Sequence, residues 1–347
     1  SSLCDKVNRQ TFPEVYDLTT IAYILKSNTI KKMSNSIFNN NFKIIKYEVD
    51  KIRGIDIDDK VDFQTAEFFH KQKIKKNINF SVLDNILLGN KISIVTGGLG
   101  HIGKKIVETL LELNSHVIII DIENENTKKK IEKINNQFES EVEFYNVDLS
   151  KKMEIELFCN KIKKKYDKID IIVNCAALVG SNNLKGWAVP FESQSMEAFD
   201  ACMNVNTKAP ILLIQNFLEL LKKSDNGKII NISSIYGLVG NDFSIYEGTN
   251  INSPIAYSIS KSGLNIMTKY LASLYGKHNI CFNSIILGGI FRNQDVNFVS
   301  KYEKKTPLGR MGNEDDIKGM ISFLASNLSS YVTGQNICLD GGITCKF

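Results

Sequence analysis

The stretch Ile92-Ser-Ile-Val-Thr-Gly-Gly-Leu-Gly-His-Ile-Gly103 decides the fold. Ile92–Thr96 is a β-branched run of strand length, and the octet Thr96–Gly103 leads into Lys104–Leu113, whose apolar residues recur at helical spacing. A strand, a glycine-rich turn and a helix in that order present free backbone N–H groups and the positive end of a helix dipole at one point, which suits a pyrophosphate. Glycines at 97, 100 and 103 remove side chains where the backbone would approach the phosphates. Glycine also serves plain tight turns, so the next strand carries weight. His116–Ile120 runs into Asp121, 18 residues beyond Gly103, where a carboxylate accepts from the two ribose hydroxyls of NAD and repels the 2′-phosphate of NADP. The sequence thus predicts a dinucleotide site containing Thr96, Gly97, Gly98, Gly100, Ile102, Gly103 and Asp121, with NAD preferred over NADP.

Outward from this stretch, short apolar runs alternate with amphipathic ones. Val142–Asn146, Ile169–Val173, Lys228–Ile232, Ile280–Ile286 and Gln335–Leu339 read as further strands, and Met153–Tyr166, Met196–Leu221 and Ile255–Tyr275 as helices. Strands apolar along their whole length, separated by helices, require cover on both faces. The expected fold is α/β, a Rossmann-like doubly wound parallel sheet over 91–347. Residues 1–77 do not share this rhythm and read as a small α/β fragment, with 78–90 as a linker. Asp148, at the end of the third strand, is placed either against adenine or as a helix N-cap. His101 is read as a packing or solvent-facing residue.

Composition narrows the function classes. The 347 residues carry 43 basic and 38 acidic side chains, a net charge of +5, with 14 basic and 11 acidic in the first ninety. No clustered basic face for nucleic acid follows from that balance. Lys128–Lys130 and Lys163–Lys165 are read as solvated helix faces. No apolar run reaches the about 20 residues that span a bilayer, and no signal peptide is visible. Seven dispersed cysteines without a CxxC pair point to a reducing compartment. A cytoplasmic protein with no nucleic-acid or membrane partner is expected.

Tyr257 and Lys261 lie four apart in a helical pattern and so share a face. A lysine ammonium beside a tyrosine stabilises the phenolate, and the expectation is a Tyr257 pKa below its usual value near 10. The spacing alone recurs by chance, as at Tyr47 and Lys51. Tyr257, however, follows a buried strand ending in Asn231-Ile-Ser-Ser234, and parallel sheets place ligands at that edge.

With these motifs in order, residues 89–347 resemble the short-chain dehydrogenase/reductases. The resemblance implies that Tyr257 exchanges the proton, Ser234 polarises the substrate oxygen, and Lys261 binds the nicotinamide ribose. Asn206, within Asn204-Val-Asn-Thr, would hold a relay water. It implies cofactor contacts at Leu149, Asn174, Ala176, Gly288 and Ile290, and assembly as a homodimer or homotetramer through the long helices. Asn174-Cys-Ala-Ala177 and Leu287-Gly288 depart from the family's usual loops. The interval from Ser234 to Tyr257 is longer than is common, and the added segment Asn241–Ser253 is polar, which suits a hydroxylated substrate; a decorative surface loop is the other reading. TGGLGHIG, SSIYG and this segment together resemble the dehydrogenases of bacterial surface-sugar pathways, those found with flagellin modification by legionaminic-type nonulosonic acids, implying a sugar or sugar-phosphate substrate.

Residues 5–75 resemble the C-terminal end of an acylneuraminate (CMP-sugar) cytidylyltransferase, in which the carboxylates matched by Asp56 and Asp58 would hold magnesium. A solvent-exposed acidic turn is the other reading of that pair. Because the front of such an enzyme is missing, a fragment is expected, with magnesium relevant only to a complete domain. Two further readings stand beside the oxidoreductase: a non-catalytic dinucleotide sensor or scaffold, and a piece of a bifunctional CMP-sugar synthetase/dehydrogenase.

Overall fold

Alternate residues of each strand enter opposite cores. Ile94, Ile118, Ile120, Ile172 and Ile229 pack on one face, and Val95, Val117, Ile119, Val173 and Ile230 on the other. This two-fold alternation within continuous apolar runs is what a sheet covered on both sides requires. The computed structural model describes residue 64 and residues 81–346, apart from 139–141, 180–183 and 250. Asp56, Asp58 and the cytidylyltransferase resemblance lie outside the described residues.

The elements run α1 (Val82–Ile86), β1 (Ile92–Thr96), α2 (His101–Glu112), β2 (His116–Asp121), α3 (Thr127–Phe138), β3 (Glu143–Asn146), α4 (Lys152–Lys165), β4 (Ile171–Asn174), α5 (Met196–Met203), α6 (Ala209–Leu221), β5 (Gly227–Ser234), α7 (Ile255–Tyr275), β6 (Ile280–Leu287), α8 (Val296–Lys305), α9 (Ile317–Ala325) and β7 (Gln335–Leu339). The seven strands form one parallel sheet in the order β3-β2-β1-β4-β5-β6-β7. Order reverses between β1 and β4, and ligands of such sheets bind in the crevice beyond the strands' C-terminal ends at that point. Helices α2 and α9 cover one face, and α4, α6 and α7 the other.

Most expected elements are present with shifted ends. Helix α2 begins at His101 rather than Lys104, because the end of the glycine turn is already helical. The expected helix 196–221 is broken by a π turn at Asn204–Lys208 between α5 and α6. The stretch 81–90, read as linker, contains α1, and Leu88 is buried with its N–H donating to the Leu113 carbonyl at 2.7 Å. The lysine runs at 128–130 and 163–165 are exposed. Among the described residues no helix is long and apolar enough to cross a membrane.

Candidate active site

The glycine turn is shaped by close approaches. Gly97 has φ +65°, and a Cβ there would lie 2.8 Å from the Ala176 Cα. A Cβ on Gly103 would come within 1.9 Å of the Gly97 carbonyl oxygen, so no other residue fits that turn of backbone. Gly100 closes the turn by donating its N–H to the Gly97 carbonyl at 3.0 Å. Gly98 seats the turn on β2, where a Cβ would meet Ile119 at 2.9 Å.

Asp121 ends β2 with its carboxylate accepting from the N–H groups of Leu99 (2.9 Å) and Ile122 (2.8 Å), which fixes it on the wall of the crevice. Asp148 lines the same wall. Burial raises its pKa, but the Ser150 hydroxyl and N–H and the Lys151 ammonium outweigh burial and hold the carboxyl below its ordinary value. Its side chain accepts from Ser150 (2.9 Å), while the N-cap position of α4 is Lys151, so Asp148 is not that cap.

Ser234 ends β5, and Tyr257 and Lys261 follow on the first turns of α7. Ser234 and Tyr257 line the same crevice. The Lys261 ammonium donates to the Ile232 carbonyl at 2.7 Å and lies 5.6 Å from the Tyr257 ring centroid. The expected lowering of the Tyr257 pKa is not found. Burial pushes it up to about 12, against the opposing effects of Ser234 and the Arg292 guanidinium, while burial drops Lys261 to about 8. Desolvation disfavours a charge on either group and is the largest cause of both shifts.

Other expected residues divide into lining and support. Ile102, Leu149, Ala176, Gly288 and Ile290 line the crevice with Gly97, Gly100 and Gly103. Thr96 is buried behind it, its Oγ1 accepting from the N–H groups of Cys175 (3.0 Å) and Ala176 (3.1 Å) and so tying β1 to the loop after β4. Asn174 donates to Asn231 Oδ1 at 2.8 Å, and its own Oδ1 is buried without a partner. Asn206 sits in the π turn, accepts from the Leu178 N–H (2.7 Å) and donates to Ser260 Oγ (3.0 Å). Its side-chain amide therefore braces the β4 loop against α7. His101 is exposed at the mouth, 3.7 Å from Glu314.

The crevice measures about 460 Å³ and runs from Asp121 and the glycine turn, past Tyr257 and Lys261, to Arg292, Phe298 and Tyr302. A backbone cradle that a Cβ would fill, a carboxylate at the ribose end and a tyrosine–lysine pair further along fit a nicotinamide dinucleotide. Tyr236, Tyr246, Arg292 and Tyr302 also line the site and lie outside the sequence-based expectation. Signals exist for two of them: Tyr236 lies within SSIYG, and Tyr246 within the added segment. Among the described residues no group of His, Cys, Asp and Glu is arranged to hold a metal ion.

The chain belongs to the short-chain dehydrogenase/reductase family and is an oxidoreductase of that family; the family model described as enoyl-(acyl carrier protein) reductase matches residues 99–344. It is similar to the post-translational flagellin modification protein A of Campylobacter coli, with 33 % identity over 257 residues, 74 % of this chain and 99 % of the relative. It is also 31 % identical to the 3-oxoacyl-[acyl-carrier-protein] reductase FabG of Aquifex aeolicus over 264 residues, 74 % of this chain and 99 % of that one. Among solved structures, a short-chain dehydrogenase from Leptospira borgpetersenii with bound NAD+ superposes with a TM-score of 0.66 at 36 % identity, covering 77 % of this chain and 97 % of that one.

Proposed function

We propose that the protein is an NAD-dependent oxidoreductase acting on a carbinol or ketone of a sugar or sugar phosphate, with Tyr257 as the proton carrier. The convergence of Ser234, Tyr257 and Lys261 in one crevice with the glycine turn carries this reading. When bound, the nicotinamide supplies or takes up the hydride at the reacting carbon. Tyr257, held protonated by burial, gives its proton to the carbonyl oxygen in reduction. Ser234 donates to that oxygen as charge develops on it, and the Lys261 ammonium stabilises the phenolate left behind. Thr96, Asn174 and Asn206 position this machinery: Thr96 and Asn206 hold the loop after β4, and Asn174 ties β4 to β5.

The Asp121 carboxylate at the turn supports NAD over NADP by like-charge repulsion of a 2′-phosphate. The structure from Leptospira borgpetersenii contains NAD+, which favours the same choice. Support for a polyhydroxylated substrate comes from the polar segment 241–253 beside the site and from the relative in Campylobacter coli named for flagellin modification. Spectrophotometry of the nicotinamide with a panel of sugar phosphates tests the reading. A second one, reduction of a 3-oxoacyl thioester, is favoured by the resemblance to FabG, and faster turnover of an acetoacetyl thioester than of any sugar would select it.

Residues 1–77, with Asp56 and Asp58, form in this proposal the tail of a cytidylyltransferase-like unit, and 91–347 the dehydrogenase. Sequence encoded upstream of Ser1 tests that division. For assembly we propose a homodimer or homotetramer through the long helices, because Ile255, Ile259, Ile266, Tyr270 and Leu274 form an exposed apolar stripe along α7.

A further inference from the structure

The added segment 241–253 carries a second hydroxyl to the reaction site. Asp242 accepts from the Ser244 N–H at 3.0 Å, and Ile245 is buried with Phe298 and Tyr302. Helix α8 fastens the segment at two points. Lys301 donates to the carbonyls of Ser244 (3.1 Å) and Glu247 (2.6 Å), and Lys305 pairs with Asp242 and donates to Ser244 Oγ (2.8 Å). Tyr246 is thereby packed on Phe298, with ring centroids 5.4 Å apart, and its hydroxyl meets that of Tyr236. Both tyrosines line the crevice with Ser234 and Tyr257.

Hydrogen bonds behind Tyr246 tie the segment to α7. Ser258, next to Tyr257 in the chain, donates to Asn241 Oδ1 at 3.0 Å, and Asn241 Nδ2 donates to Ser253 Oγ at 2.7 Å. The hydroxyls of Tyr236 and Tyr246 share one hydrogen bond, in which either can be the donor. A phenol has one proton and two acceptor positions. Whichever phenol donates to the other, one proton of the pair is left for a ligand in the crevice. Burial raises the pKa of both phenols, so both hydroxyls stay neutral across the physiological range.

We propose that Tyr246 Oη is a specificity-determining hydroxyl that binds a second oxygen of a polyhydroxylated substrate, one other than the oxygen held by Ser234 and Tyr257. The inference rests on the crevice being the active site. A hydroxyl held in place in advance rejects analogues that lack the matching oxygen, because its own group is then left unpaired.

The full chain loaded with NAD+ is titrated calorimetrically with glucitol, as wild type and as Tyr246→Phe, which keeps the ring on Phe298. The expected result is a dissociation constant about tenfold higher for glucitol in the variant, with NAD+ affinity unaltered. Equal glucitol affinity in the two proteins, or no glucitol binding to the wild type, overturns the assignment. A second readout compares kcat/KM for dihydroxyacetone with that for its isostere pentan-3-one, using NADH. Their ratio should fall about tenfold in Tyr246→Phe, and an unaltered ratio overturns the proposal. Glucitol binding weakened in the variant, without turnover of either ketone by the wild type, supports the Tyr246 assignment and counts against the catalytic reading.

Discussion

Replacing Lys261 by Met should stabilise the dinucleotide-free protein while disabling it. The ammonium is buried in the fold, and its pKa falls from 10.5 to about 8. The unfolded chain therefore binds more protons than the folded one between these values, so stability rises with pH across that window. At pH 7, well below the folded pKa, burying the charge costs the native state about 3 kcal/mol, from a shift of about 2.5 pH units at about 1.4 kcal/mol each. By pH 9.5 the lysine is neutral in the folded state and the penalty has dropped to about 1.4 kcal/mol. Met has similar length and no charge, so the variant keeps most of the packing but loses the 2.7 Å bond to the Ile232 carbonyl. That loss subtracts about 1 kcal/mol at every pH. Urea denaturation of both proteins at pH 7 and pH 9.5 should show an advantage of the variant that shrinks by about 2 kcal/mol between the two. A stability difference that stays constant with pH, or grows, refutes the reasoning, because lost packing alone carries no such pH dependence.

Other expectations address the cradle, the cofactor choice and the assembly. Gly103→Ala should weaken dinucleotide binding at least about tenfold, the equivalent of one charge-assisted hydrogen bond to phosphate, because its Cβ would sit 1.9 Å from the Gly97 oxygen and force the turn open; equilibrium titration with NAD+ measures it. Asp121→Asn should erode the preference for NAD over NADP by about 300-fold, the value of one like-charge contact at about 5 Å and an effective dielectric near 20, read as a ratio of dissociation constants. Ile266→Asp together with Tyr270→Asp, both on the exposed stripe of α7, should yield monomers by light scattering.

Much of this fold is readable from sequence because the strands are buried on both faces, and runs such as His116–Ile120 and Ile280–Ile286 have no polar alternative. The placing of Tyr257 and Lys261 together in the crevice is legible for a related reason: they are local to one helix, and the fold delivers that helix to the sheet edge. What escapes is set by tertiary contact. The π turn at Asn204–Lys208 keeps apolar spacing that passes for ordinary helix, and only the bonds of Asn206 to Leu178 and Ser260 reveal it. The pairing of Tyr236 with Tyr246 depends on two lysines of α8 reaching back more than fifty residues to the added segment. The Tyr257 shift runs opposite to the direction its sequence spacing suggests, because spacing shows the neighbouring cation but not how completely both groups leave water.

The central claim is that Tyr257 carries the proton in a site that binds the dinucleotide independently of it. Measuring NAD+ affinity and steady-state turnover of Tyr257→Phe on the best wild-type substrate separates the two roles. The account predicts unaltered NAD+ affinity and a kcat lower by about a thousandfold. Turnover within tenfold of wild type would contradict it.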